Sequence, residues 1–182
     1  MRGADAKVRK VIAASVMLFA GLGVARGDAA TTPWVTLHPP GVPRVSFQLP
    51  AAWQADVPQR GMKFLSRSHD GFTYVAIGSN AYPREPFDQF AARTAAAGRQ
   101  FYLSLYPQAS YRWRVVTLPA GRAVELIVRI PAEPSRAAEA IHAFDFMSGD
   151  RSYSFTFATH PAKIGAYLPI FQRAARSIRF RP

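Results

Sequence analysis

Apolar and polar residues alternate along much of this chain, and in two places the period changes to that of a helix. In "RVSFQL" Val45, Phe47 and Leu49 alternate with Ser46 and Gln48. That period of two predicts a first strand with one buried face. Pro50 ends it, and Trp53 follows in the loop "PAAWQADVPQRG". Trp53 reads as a plug over the edge of the core, with a ligand role as the alternative. "MKFLSRS" and "FTYVAIGS" flank "HDG", and Asp-Gly between two apolar runs predicts a hairpin. After "NAYPREP" the spacing becomes three and four, at Phe87, Phe90, Ala91, Thr94, Ala97, Phe101 and Leu105. This is one face of a helix. Pro86 and Asp88 suit its first turn, Gly98 weakens its middle by roughly 1 kcal/mol relative to Ala, and Pro107 stops it.

Alternation then returns. "YRWRVVT" sets Tyr111, Trp113 and Val115 against Arg112 and Arg114, one face apolar and one basic. "LPAG" turns into the strand "RAVELIVRI", and "PAEPSRAAE" is a loop. "AIHAFDFMS", "GD" and "RSYSFTFAT" form a second hairpin, with Tyr153, Phe155 and Phe157 on one face. Pro161 opens a final helix whose apolar face is Ile164, Leu168, Phe171, Ala175 and Ile178. Pro169 kinks that helix or delays its start. The order is three strands, helix, four strands, helix. Hairpins dominate, which predicts an α+β fold: a largely antiparallel sheet of about six or seven strands flanked by two helices.

The first residues do not fit this pattern. Arg2, Lys7, Arg9 and Lys10 precede an unbroken apolar run from Val11 to Ala25, and small residues follow at Ala25 and Gly27. A basic start, a short apolar middle and a small-x-small end describe a secretory signal peptide over residues 1–27. The run is 15 residues long, short of the ~20 that span a bilayer; an uncleaved anchor is the alternative. Cleavage is placed after Gly27, with Ala29 and Ala30 as alternatives. Residues 28–43 are rich in Pro, Thr and Ala and read as an extended N-terminal arm, not a packed element. Residues 44–182 then form one domain.

The compartment follows from the leader: periplasmic or secreted. The sequence contains no cysteine, so it has no lipid-modified cysteine and no disulfide. The net charge is +12, of which the leader supplies part. The remainder carries 18 basic residues against 10 acidic, a net +8, and 16 of the 18 are Arg. Such a bias fits recognition of phosphate or carboxylate groups. It fits a GC-rich coding sequence equally well.

The search for chemistry finds little. His38, His69, His142 and His160 show no i, i+4 pair, no HExxH motif occurs, and there is no thiolate for zinc. No nucleophile elbow or glycine-rich phosphate loop lies in the right context. No catalytic residue, metal site or cofactor is assigned, and the chain reads as a non-enzyme. Asp145 falls in step with Ile141, Ala143 and Met147, opposite His142, Phe144 and Phe146. A carboxylate on a half-buried strand needs a partner, and an Arg salt bridge is expected there. The residues singled out for an interaction surface are Trp53, Arg112, Arg114 and Arg151, because Arg and aromatic side chains interleave in "YRWRV" and "RSYSF".

The order of motifs, "FQLPAAW", "PFDQF", "LPAGRAVELIV", "AIHAFDFMSGDRSYSFTFAT" and "ARSIRF", resembles the PsbP-like/DcrB-like family over about residues 44–181. The resemblance implies an α/β/α sandwich and a role in binding another macromolecule; no residue-level function transfers. The chain lacks the cysteine of lipid-anchored bacterial members. The expected function is a non-catalytic periplasmic protein that binds or assists another protein, as an accessory or chaperone-like factor of an envelope or secretion system. Its expected partner is a protein of the cell envelope, with weak contact to anionic lipid or polysaccharide, no nucleic acid and no transmembrane segment after signal cleavage. Two alternatives remain: a binder of an anionic small molecule or lipid, and an enzyme whose site gathers distant residues such as Asp145, His142 and Arg112.

Overall fold

A computed structural model describes residues 33–42, 44–58 and 61–181; the expected leader at 1–27 lies outside them. The main sheet is antiparallel and has seven strands in the order β3-β4-β5-β9-β8-β7-β6. These are β3 (Gln54–Asp56), β4 (Phe64–Arg67), β5 (Tyr74–Ala81), β6 (Ser110–Leu118), β7 (Gly121–Ile130), β8 (Glu139–Ser148) and β9 (Arg151–Thr159). A smaller sheet joins β1 (Trp34–Leu37), β2 (Val45–Pro50) and β10 (Arg179–Phe180) in the order β1-β2-β10. The helices are α1 (Phe87–Leu105) and α2 (Ile164–Ser177). The α+β architecture matches the expectation from the pattern.

The register sorts the alternating residues onto two faces. One face carries Val75 and Ile77 of β5, Phe155 and Phe157 of β9, Phe144 and Phe146 of β8, and Ala123 of β7. Against it pack β2, β10 and α2, and α2 buries Ile170, Phe171, Ala174 and Ala175. Phe47 of β2 meets Phe64 and Phe155 edge-on at 5.7 and 5.9 Å. Burying each such ring stabilises the fold by about 1.5–3 kcal/mol. The other face carries Tyr74, Ala76, Ala158, Ile141, Ala143, Asp145, Val124, Leu126 and Val128. Helix α1 covers this face over β6, β7 and β8, burying Phe90, Ala91, Ala95, Gly98 and Tyr102.

Gly98 has a packing reason that its helical cost concealed. A Cβ there would lie 2.8 Å from the Tyr111 Oη and 3.1 Å from the Leu126 Cδ1. The Tyr111 hydroxyl is fixed in turn by donating to the Ala95 carbonyl at 2.8 Å. Glycine lets the helix sit that close to β6 and β7.

The structure corrects several expectations. The arm at 28–43 is not unpacked where it is described: Trp34–Leu37 pairs antiparallel with β2. Trp34 packs on the core edge with the Arg173 guanidinium 4.1 Å from its ring centroid. The loop after Pro50 contains β3, three exposed residues held by pairing to β4. Pro169 does not delay the final helix. A 3₁₀ turn at Pro161–Lys163 leads into α2, which runs through Pro169. The lost N–H falls where the helix is exposed, so the missing bond leaves a carbonyl facing water.

The "HDG" hairpin ties β4 and β5 to the start of α2. The Asp70 carboxylate accepts from the Thr73 N–H at 2.7 Å, the Phe72 N–H at 3.0 Å, the Thr73 hydroxyl at 2.8 Å and the Ser68 hydroxyl at 2.9 Å. It also accepts from Lys163 Nζ at 3.0 Å and the Tyr167 hydroxyl at 3.2 Å. Burial alone would raise this carboxyl. The Thr73 N–H, the Lys163 ammonium and the Thr73 and Ser68 hydroxyls outweigh it and hold the group well below the usual carboxylate range. The His69–Asp70 pair is a turn pair, with His69 exposed.

Candidate functional site

On the α2 face, Ala123 of β7 and Val116 and Leu118 of β6 join the core, while the far halves of β6 and β7 carry the exposed Arg112, Arg114 and Arg129. Two cross-strand rows lie on this strip. One row runs Arg112, Ile127, His142; the next runs Arg114, Glu125, Phe144. Arg129 sits one step further along β7, opposite Ser110. Ile127 and His142 are half-buried, while Arg112, Arg114 and Arg129 are exposed. The strip is therefore a floor of Ile127 and His142 rimmed by arginines.

Glu125 is the carboxylate within it, and it is already engaged. Its residue is only 4% exposed. One oxygen receives Arg114 Nε at 2.5 Å and the other faces His142 Nδ1 at 3.3 Å. Burial works against its charge, but the hydrogen bonds from His142 and Arg114 outweigh that and hold the carboxyl below its ordinary value. Glu125 thus pins Arg114 and the histidine ring. Among the described residues no ion pair engages Arg112 or Arg129. The strip presents two uncommitted guanidiniums on a partly apolar floor, an arrangement suited to carboxylate or other anionic groups.

Of the four residues singled out from the sequence, Arg112 and Arg114 come together here. Trp53 lies at the opposite edge, just before β3, half-buried against the core with its ring 6.3 Å from that of Tyr167. Arg151 begins β9 at the β8–β9 turn, where its Nε donates to the Ser79 hydroxyl at 3.1 Å. Glu125, His142 and Arg129 were not singled out as a group. Glu125 and His142 are 17 residues apart, and only the β7–β8 register brings them together. The available signal was Glu125 itself, a charge inside the apolar run "AVELIV".

The distant-residue enzyme constellation does not assemble. Asp145 lies on the α1 face, and His142 and Arg112 lie on the other. Nor does Asp145 have the expected Arg partner: among the described residues no ion pair reaches it. Burial pushes its carboxyl up to about 7, and the Ser154 hydroxyl opposes this only in part. A carboxyl that can hold its proton needs no cation, which is why the expectation of a salt bridge failed. Glu139 follows the same logic. Burial raises it to about 7 against the Tyr74 hydroxyl, which donates at 3.0 Å, and the charge of Arg136. Among the described residues no three His, Asp or Glu side chains converge as a metal ion would require. No helix among them is long and apolar enough to cross a membrane.

No family model matches the chain, and no curated protein matches it by sequence. Solved structures do match in shape. The solution structure of cyanobacterial PsbP (CyanoP) from Synechocystis sp. PCC 6803 aligns over 87% of this chain and 98% of its own, with a TM-score of 0.61 and 13% identity. LpqN of Mycobacterium tuberculosis, a protein involved in cell envelope biogenesis, aligns over 84% of this chain and 92% of its own, with a TM-score of 0.54 and 11% identity. At such identities the likeness concerns the fold. One helix on each face of the seven-stranded antiparallel sheet, together with this likeness in shape, gives the chain the PsbP/DcrB-like fold.

Proposed function

We propose that this is an exported, non-catalytic protein that binds another protein of the cell envelope through the basic strip, in an accessory or chaperone-like role. The observation that carries this reading is the pair Arg112 and Arg129, exposed and, among the described residues, without carboxylate partners, with the carboxylate of Glu125 already engaged by Arg114 and His142. Uncommitted guanidiniums over a partly apolar floor favour an acidic surface on the partner, and they speed its encounter. The secretory-type leader supports an envelope or extracellular location. The role of LpqN in cell envelope biogenesis fits the same compartment. Glu125 faces the histidine of the strip at 3.3 Å and so helps fix the floor between the arginines.

The test is reversible cross-linking in intact cells, comparing the wild-type chain with the double variant Arg112→Glu, Arg129→Glu. The expected result is a partner whose recovery falls about tenfold with the variant. Equal recovery of the same partner by both proteins would overturn the assignment of the strip.

A further inference from the structure

The seven-stranded sheet has two edges, and they are built differently. At one edge β3 is three residues long, all of them exposed, with Asp56 bound to Arg67 of β4 at 2.5 Å. Short, charged edges resist pairing with other chains. At the other edge β6 is nine residues long with no proline inside it. It pairs with β7 residue for residue, from Ser110↔Arg129 to Leu118↔Gly121, without a bulge. Leu118 and Gly121 flank a two-residue turn, so they form a hydrogen-bonded pair. Alternation then turns the backbone N–H and C=O groups of Tyr111, Trp113, Val115 and Thr117 away from β7. Among the described residues no strand takes them up.

The side chains of this edge are sorted as well. On the α1 face Trp113 is 47% exposed and Val115 40%. On the other face stand Arg112 and Arg114, with Arg129 behind them on β7. We propose that β6 accepts an extended segment of a partner protein as an added strand, one whose side chains alternate acidic and apolar. This rests on the reading of the basic strip and gives it a geometry. Acidic residues of the segment lie directly opposite Arg112 and Arg114, where opposite charges attract across a strand pair. Its apolar residues cover Trp113 and Val115. Main-chain hydrogen bonds supply affinity and the alternating side chains supply selectivity. A second copy of this chain is a poor occupant. Full antiparallel overlap of two β6 strands puts Arg114 opposite Arg114 of the second copy, and like charges there destabilise the pair. Arg114 thus opposes self-pairing, and Arg112 with Arg129 behind it favours an acidic strand.

The test uses the purified protein, isotope-labelled, with two synthetic peptides long enough to cover β6: one alternating Glu and Val, the other Lys and Val. The Glu–Val peptide is expected to slow amide exchange at Tyr111, Trp113, Val115 and Thr117 by about tenfold or more at saturation, and the Lys–Val peptide to leave it unchanged. Val115→Pro removes one outward N–H and no charge, and is expected to weaken Glu–Val binding about tenfold. Thr117→Pro serves the same purpose if the first variant loses its fold. Binding that needs Arg112 yet gives no amide protection and survives both prolines would overturn strand addition while leaving the basic strip intact. No binding of the Glu–Val peptide would also overturn it, and the cross-linking comparison then decides separately whether the strip has a partner. Protection of the same amides by self-association alone would overturn it as well.

Discussion

Asp145→Asn tests the physical reading of the sheet interior. Asp145 is 8% exposed on the α1 face of the sheet, with Ser154 beside it on β9. Burial raises its pKa from 3.8 to about 7. The folded protein therefore holds this proton more tightly than the unfolded chain does. The resulting stability is fully present below pH 4 and is lost as pH rises through 7. The whole window is worth about 4 kcal/mol, and about 3 kcal/mol of it is lost between pH 5 and pH 8. Glu139, raised from 4.5 to about 7, adds a loss of the same sign. Glu125, Asp56 and Asp70 are held low, so their contributions rise with pH and are largely in place by pH 5. The assay is urea unfolding at pH 5 and pH 8. With a slope of about 2 kcal/mol per molar urea, the wild-type midpoint falls by more than about 1 M between the two. Asn cannot ionise and keeps the shape, so the variant loses roughly half of that dependence and outlasts the wild type at pH 8. A wild-type midpoint that is flat or rising, or an unchanged slope in Asp145→Asn, would refute the reasoning.

Other perturbations give equally direct readings. Gly98→Ala gains roughly 1 kcal/mol of helix propensity but drives a methyl against Tyr111 and Leu126; unfolding by urea is expected to show a net loss of about 1–2 kcal/mol, and a net gain would sink the packing argument. Adding Tyr111→Phe to Gly98→Ala removes the closest clashing atom, so the second change costs less in the variant than in the wild type. Asp70→Ala leaves the Lys163 ammonium and two backbone N–H groups of the hairpin without their acceptor, and is expected to destabilise by about 3 kcal/mol; a loss below about 1 kcal/mol would show that the hairpin and α2 hold together without it.

What the sequence revealed and what it hid follow one physical division. Val45, Phe47 and Leu49, and likewise Tyr153, Phe155 and Phe157, alternate because one core sits on one side of each strand, so a local pattern records a global fact. The face of Asp145 was legible for the same reason. Its lack of a cation was not, because that depends on how deeply α1 seals it. Strands β1 and β3 exist by pairing to β2 and β4, and at four and three residues they are too short to show a period. The strip was half legible: Arg112 and Arg114 share a strand face and could be read together. Glu125 and His142 belong with them only through the registers of β6, β7 and β8, which no single segment encodes. Trp53 is at the far edge, closing the core against Tyr167.

The claim that the basic strip is the binding surface is tested most directly by comparing two variants of equal charge change. Arg112→Glu, Arg129→Glu alters the strip, whereas Arg84→Glu, Arg99→Glu alters exposed arginines elsewhere. Affinity for the cross-linked partner is measured for both across a range of salt concentrations. The account predicts that the strip variant loses about tenfold or more in affinity together with most of its salt dependence, while the other pair binds within about twofold of wild type. Equal losses in the two variants would mean that only net charge matters, and would contradict the assignment of the strip.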